Sequence, residues 1–140
     1  MNEIMNILRL LGGGIFTSLE IFIFTLIFSL PLGLLVSFGR KSRNRFISWF
    51  FRVYISIMRG TPLMLQLFVV YYCPFYLFGI KLSAFGSNYR LAAVLLGFIL
   101  NYAAYFAEIY RSGIESMPLG QYEAAKVLGY RKGRAFMVII

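Results

Sequence analysis

The sequence predicts an all-α membrane protein, a polytopic helical bundle, and three observations predict it. Hydrophobic side chains make up 60% of the 140 residues and charged ones only 14%, a balance far too apolar for an ordinary soluble domain. The apolar residues fall in long runs of the length that crosses a bilayer. The 14 Lys and Arg sit in short clusters between those runs, as membrane topology requires. They are not spread over a polar face as a nucleic-acid footprint would be. The net charge of +9 therefore marks the inner side of a membrane, and no nucleic-acid partner is expected.

The first span is expected over about 15–38, where Glu20 is the only ionisable residue. A helix of that length covers about 36 Å, enough to cross the hydrocarbon with some tilt. Pro31 and Gly33 should kink or thin it. The preceding segment carries Glu3 and Arg9 and runs into Gly12, Gly13 and Gly14. It lacks the basic start, short apolar core and small-residue cleavage site of a signal peptide. Arg40, Lys41, Arg43, Arg45 and Arg52 follow without an acid among them, which keeps this loop inside. Trp49, Phe50, Phe51 and Tyr54 read as an interfacial aromatic belt leading back into the membrane.

The second span, about 53–80, is interrupted by Gly60, Pro62 and Pro74 and reads as one broken span. Thr61 stands before Pro62, which favours extended or turn backbone there, a candidate hinge. The loop from Gly79 to Arg90 is less basic than its neighbour and is expected to face outward. A third span, about 91–107, is rich in Ala, Gly and Tyr, suiting a helix packed through small side chains. It is expected to continue as a helix into a long inner loop, about 108–135, marked by Arg111, Lys126, Arg131, Lys132 and Arg134. These signs place the N-terminus outside, with three spans and, at residues 135–140, the start of a fourth.

The chemistry of catalysis is missing from the composition. There is no His, and the single Cys73 lies in an apolar segment, so no disulfide framework, zinc set or Ser-His-Asp pairing is available. Glu3, Glu20, Glu108, Glu115 and Glu123 form no metal-binding or acid/base constellation. No phosphate-binding loop of the Gly-x-x-x-x-Gly-Lys-Ser/Thr kind occurs. Neither an enzyme nor a bound metal or cofactor is expected.

The loop 108–135 carries the most specific pattern. Pro118 can open a helical turn, Gln121 to Leu128 make about two turns, and Gly129 stands where a left-handed residue closes a helix. Ala124 and Ala125 leave one side shallow for another protein, and Glu123 with Lys126 offers a charged pair. The run Gly120-Gln121-Tyr122-Glu123-Ala124-Ala125-Lys126-Val127-Leu128-Gly129, with Ile139 following at the expected distance, resembles the EAA loop of bacterial ABC importer permeases. The run Arg59-Gly60-Thr61-Pro62-Leu63-Met64-Leu65-Gln66-Leu67-Phe68 resembles the signature near the second span of the polar amino acid permease subfamily. Tyr105-Phe106-Ala107-Glu108-Ile109-Tyr110-Arg111-Ser112-Gly113-Ile114 is similar to the stretch that leads there from the third span to the coupling loop. From Met1 to Arg52 the likeness lies mainly in hydropathy and in Thr17-Ser18-Leu19-Glu20.

The resemblance implies the bundle of a type I ABC importer permease in a bacterial inner membrane, importing a polar amino acid. It implies ATPase coupling through Gly120, Gln121, Glu123, Ala124, Ala125 and Gly129. Partners would be an ABC ATPase subunit that hydrolyses the ATP, a second permease subunit (the same or different), an extracytoplasmic amino-acid-binding protein, and membrane lipid. Candidate pathway or gating residues are Arg59, Thr61, Pro62, Gln66, Glu108 and Arg111. Gln66, polar in an apolar run, either hydrogen-bonds a neighbouring helix or lines a wet cavity. Glu108, Arg111 and Glu115 share one helical face, as a modest ladder worth about 0.2–0.5 kcal/mol per exposed pair or as a switch inside the bundle. Arg59 can anchor at the membrane boundary or act in gating. Family members continue with a Leu-Pro pair and further spans, so the resemblance implies an incomplete permease that does not support uptake by itself. The competing class is a small membrane protein acting alone, a pore, a holin-like protein or a regulator, which would not need a docking helix.

Overall fold

The structure, a computed structural model, describes residues 2–79 and 88–139. Six helices follow in order: α1 Asn2–Arg40, α2 Arg45–Gly60, α3 Leu63–Phe78, α4 Tyr89–Glu115, α5 Leu119–Val127 and α6 Lys132–Ile139. No strand occurs among the described residues. The loop expected to face outward lies mostly in residues 80–87, outside them.

α1 has 39 residues and begins well before the apolar run read as its span. The Gly12 to Gly14 run does not stop it. Thr17 and Ser18 donate their hydroxyls to the carbonyls of Gly13 and Gly14, at 3.1 and 2.9 Å, and the flanking Ile, Leu and Met residues suit an apolar surrounding. Pro31 also lies within the helix. Pro74 likewise does not end α3, contrary to the break expected there. Bilayer helices tolerate such residues because neighbouring groups take up the freed backbone.

The break that does form is at Thr61–Pro62. α2 opens with the Asn44 side chain accepting from the Phe46 N–H at 3.0 Å, a normal N-cap. It ends because Pro62 drives Thr61 to φ −116°, ψ 146°. The chain turns there by 112° and starts again as α3. α1 and α4 are each long and apolar enough to cross a membrane, and the bent pair α2 with α3 makes up to a third span.

α4 is the centre of the bundle, touching α1, α2 and α3. Its packed face is made of small residues, with Ala93, Gly97, Asn101, Ala103, Ala104 and Ala107 buried. On α1, Thr25, Ser29, Gly33 and Ser37 recur every fourth residue, and the three hydroxyl-bearing ones are buried. Residues four apart share a helix face, so α1 offers a shallow seam to the shallow face of α4. At Gly33 the two backbones nearly touch. A Cβ there would stand 2.7 Å from the Phe106 Cβ and 3.0 Å from the Ala103 carbonyl oxygen, closer than packed carbons allow. Towards the ends of α1 and α4 that lead to the basic loops, Val36, Ile55, Ala104 and Ala107 form a small core with Phe51, Tyr54 and Met58 against it.

Candidate functional site

Two assemblies lie along α4, one at its middle and one at the end of the bundle where α1 stops and α4 runs on towards α5. The first closes the break between α2 and α3. A helix end leaves carbonyls without partners, and here side chains supply them. Gln66 donates from Nε2 to the Met58 carbonyl at 2.9 Å and to the Thr61 hydroxyl at 2.7 Å. Asn101 donates from Nδ2 to the same Met58 carbonyl at 3.1 Å and to Gln66 Oε1 at 2.8 Å. Thr61 itself donates to the Ile57 carbonyl at 2.8 Å. Gln66 therefore spends both ends of its amide on neighbouring elements, and α2, α3 and α4 are pinned at one point. Asn101 was not singled out in the sequence. Its signal was there: a polar side chain in a small apolar run, two turns before Glu108 on the same face.

The second assembly is a charge hub on Glu108. Arg40 from the end of α1 and Arg111 from the next turn of α4 both donate to its carboxylate, Arg111 through Nε at 2.9 Å as well as through Nη2. Arg59 of α2 stands 3.9 Å away with its guanidinium over the Tyr105 ring, 5.5 Å from the ring centre. Arg111 also reaches Glu115, which has Lys41 at 3.7 Å. The ladder expected along α4 is present and is tied to two other helices. Arg40 was read only as a topology signal, because a partner 68 residues away leaves no local trace. Two open clefts of about 490 and 510 Å³ flank the hub and share Arg59, Tyr105 and Glu108.

The segment expected to dock a partner, α5 and α6, forms a hairpin beyond the hub. α5 starts at Leu119, with Pro118 just before the first turn at φ −60°, ψ 136°, so Pro118 caps the helix instead of occupying its first turn. At the other end Gly129 takes φ +74°. Its N–H donates to the Lys126 carbonyl at 3.1 Å, and the Tyr130 N–H to the Ala125 carbonyl at 2.9 Å. This is the Schellman arrangement, which a left-handed glycine permits. Ala125 is buried, whereas Gly120, Gln121, Glu123, Ala124 and Gly129 are exposed. Among the described residues Glu123 and Lys126 form no ion pair. Leu119, Val127 and Leu128 are 79%, 88% and 71% exposed.

Residues 29–140 match the family described as "Binding-protein-dependent transport system inner membrane component". The chain is 37% identical over 131 residues to the L-cystine transport system permease protein TcyB of Bacillus subtilis, covering 94% of this chain and 53% of that protein. GlnP of Rickettsia conorii, named for glutamine transport, is 37% identical over 119 residues, 85% of this chain and 52% of that protein. A crystal structure of an amino acid ABC transporter with histidines superposes with a TM-score of 0.72 at 32% identity, over 90% of this chain and 55% of that one. The chain spans about half the length of the curated relatives it matches.

Proposed function

We propose, from the premise that this chain belongs to the inner membrane component family of binding-protein-dependent transport systems, that it serves as membrane-spanning subunit of an ATP-driven importer of a polar amino acid. The relatives named for cystine and glutamine support that substrate class. In this reading the bundle is part of the translocation pathway in the bacterial inner membrane, with the N-terminus outside. A second permease subunit completes the pathway, a binding protein delivers the amino acid, and ATP is hydrolysed on a separate ATPase.

The observation that carries the reading is α5. A surface helix with a stiff C-cap, a shallow Ala124 face and apolar side chains left uncovered among charges is made for a protein partner, since exposed apolar groups on a polar element mark contacts. It follows α4 directly, so a push on α5 is delivered to the helix that touches α1, α2 and α3 and carries Glu108. We assign Gly120, Gln121, Glu123, Ala124, Ala125 and Gly129 to ATPase coupling. Arg59, Glu108 and Arg111 would hold the inner end of the bundle in one of its states, while Thr61, Pro62 and Gln66 would form the hinge.

The test is crosslinking of Glu123→Cys, in a chain with Cys73→Ser, to a co-expressed ABC ATPase subunit. An adduct of the two subunits is the expected product. Labelling of the same cysteine by a membrane-impermeant maleimide added to intact cells, with no adduct, would overturn the reading.

A further inference from the structure

α2 carries a second pattern, of which the transport reading uses only Arg59. Arg45, Ser48, Arg52, Ser56 and Arg59 follow one another at three- and four-residue steps, so they form one polar stripe along the helix. Beside the stripe Phe46, Trp49, Phe50 and Ile57 are exposed, while Phe51, Tyr54, Ile55 and Met58 face the bundle. A helix with a basic edge next to an exposed aromatic edge sits at the level of lipid headgroups, with guanidiniums reaching the phosphates and rings in the acyl boundary.

The stripe meets the bundle at the cleft of about 510 Å³ lined by Arg40, Arg52, Ser56, Arg59 and Glu108. Three guanidiniums face one carboxylate there. Glu108 is already engaged by Arg40 and Arg111, which leaves the other cations short of acceptors. Arg59 reaches Glu108 only at 3.9 Å. Arg52 uses Nε on the Ser48 carbonyl at 3.3 Å, and its two terminal amines find no partner among the described residues. Guanidinium forks match phosphate oxygens in pairs, and basic clefts between membrane helices select anionic headgroups.

We propose that this cleft binds the phosphate of an anionic phospholipid, held by Arg52 and Arg59 with Ser56 as a neutral donor, while Trp49 and Phe50 rest against its acyl chains. The site depends on the chain being membrane-embedded and not on the identity of any transported solute, so it can fail while the importer assignment stands.

The experiment uses the chain in nanodiscs of phosphatidylcholine with and without phosphatidylglycerol, reading retained lipid by native mass spectrometry. Wild type is expected to retain phosphatidylglycerol. Arg52→Gln, whose side chain holds only a neighbouring turn, should weaken retention about tenfold, the worth of a charge-assisted hydrogen bond. Arg45→Gln removes the same charge from the same stripe outside the cleft and should leave retention unchanged. Equal losses in both variants would mean diffuse surface charge and overturn the site. Retention unchanged in Arg52→Gln and in Arg59→Gln would overturn it too. Displacement of the lipid by inorganic phosphate at constant ionic strength would assign the cleft to a free oxyanion and overturn the lipid reading.

Discussion

Between α1 and α4, Gly33, Ala103 and Ala107 let two backbones meet, and Ala103, Ala104 and Ala107 are fully buried there. On α5, Leu119, Val127 and Leu128 stand open, and only Ala125 is buried. Both regions are helix faces with small residues at their centre. One has found its partner within the chain, by close approach of small residues as bilayer helices do; the other is held rigid by its own caps and has not. Under the proposed coupling role of α5, the difference separates residues that keep the bundle together from residues that transmit force, and substitutions should sort accordingly when bundle stability and transport are read side by side.

The largest effect on stability is expected at the seam. Gly33→Leu forces a side chain against the Ala103 carbonyl and Phe106, where backbone, not a flexible side chain, must give. Overpacking of this kind costs about 3 kcal/mol, which thermal unfolding in detergent would report as a lowered midpoint. If Gly33→Leu unfolds like wild type, the seam is looser than described and the contrast with α5 fails.

Glu108→Gln comes next and probes the link between the regions. The amide cannot neutralise Arg40, Arg59 and Arg111. With Glu108 19% exposed, solvent screens part of that penalty, leaving about 1–2 kcal/mol. Insertion into the membrane should be intact while solute uptake by the complete transporter falls. Normal uptake would reduce the hub to a structural ladder.

How much of this was legible follows the range of the interactions. The helices other than the first part of α1, the break at Thr61–Pro62 and the closing role of Gly129 were written locally, in hydropathy, in the backbone limits of proline and in the glycine after a short helix. The hub was half legible: Glu108, Arg111 and Glu115 lie at helical spacing, but Arg40 joins them only because α1 packs along α4. Asn101 carried the same signal as Gln66, a polar side chain in an apolar run, but its partners were not legible: Gln66 lies 35 residues away and Met58 offers a carbonyl, which every residue has. Pro74 misled in the other direction, since the cost of proline in a helix is judged against water-exposed backbone and is met differently in a bundle, whereas Pro31 was expected inside the first span and lies inside α1.

Gly129→Ala should act on the hairpin alone. Holding a side chain at φ +74° costs about 1 kcal/mol, enough to fray the end of α5, while the added Cβ meets nothing within 4 Å. The bundle should melt as wild type does, while hydrogen exchange at Leu128, Gly129 and Tyr130 speeds up and stimulation of the partner ATPase weakens. A lowered bundle midpoint would show that the hairpin is part of the folded core after all.

Glu123→Ala closes the series at the smallest cost to the fold. The side chain is exposed on a helix whose caps do not use it, and alanine favours helix at least as well, so stability should change by less than about 0.5 kcal/mol. Uptake by the complete transporter should nonetheless drop, because the carboxylate is held out from α5 where only a partner can meet it. The two readouts must separate: a variant that melts like wild type and fails to transport places Glu123 in coupling. One that melts like wild type and transports normally would leave α5 to bind through Leu119, Val127 and Leu128 alone, an apolar grip with no charged contact at its centre.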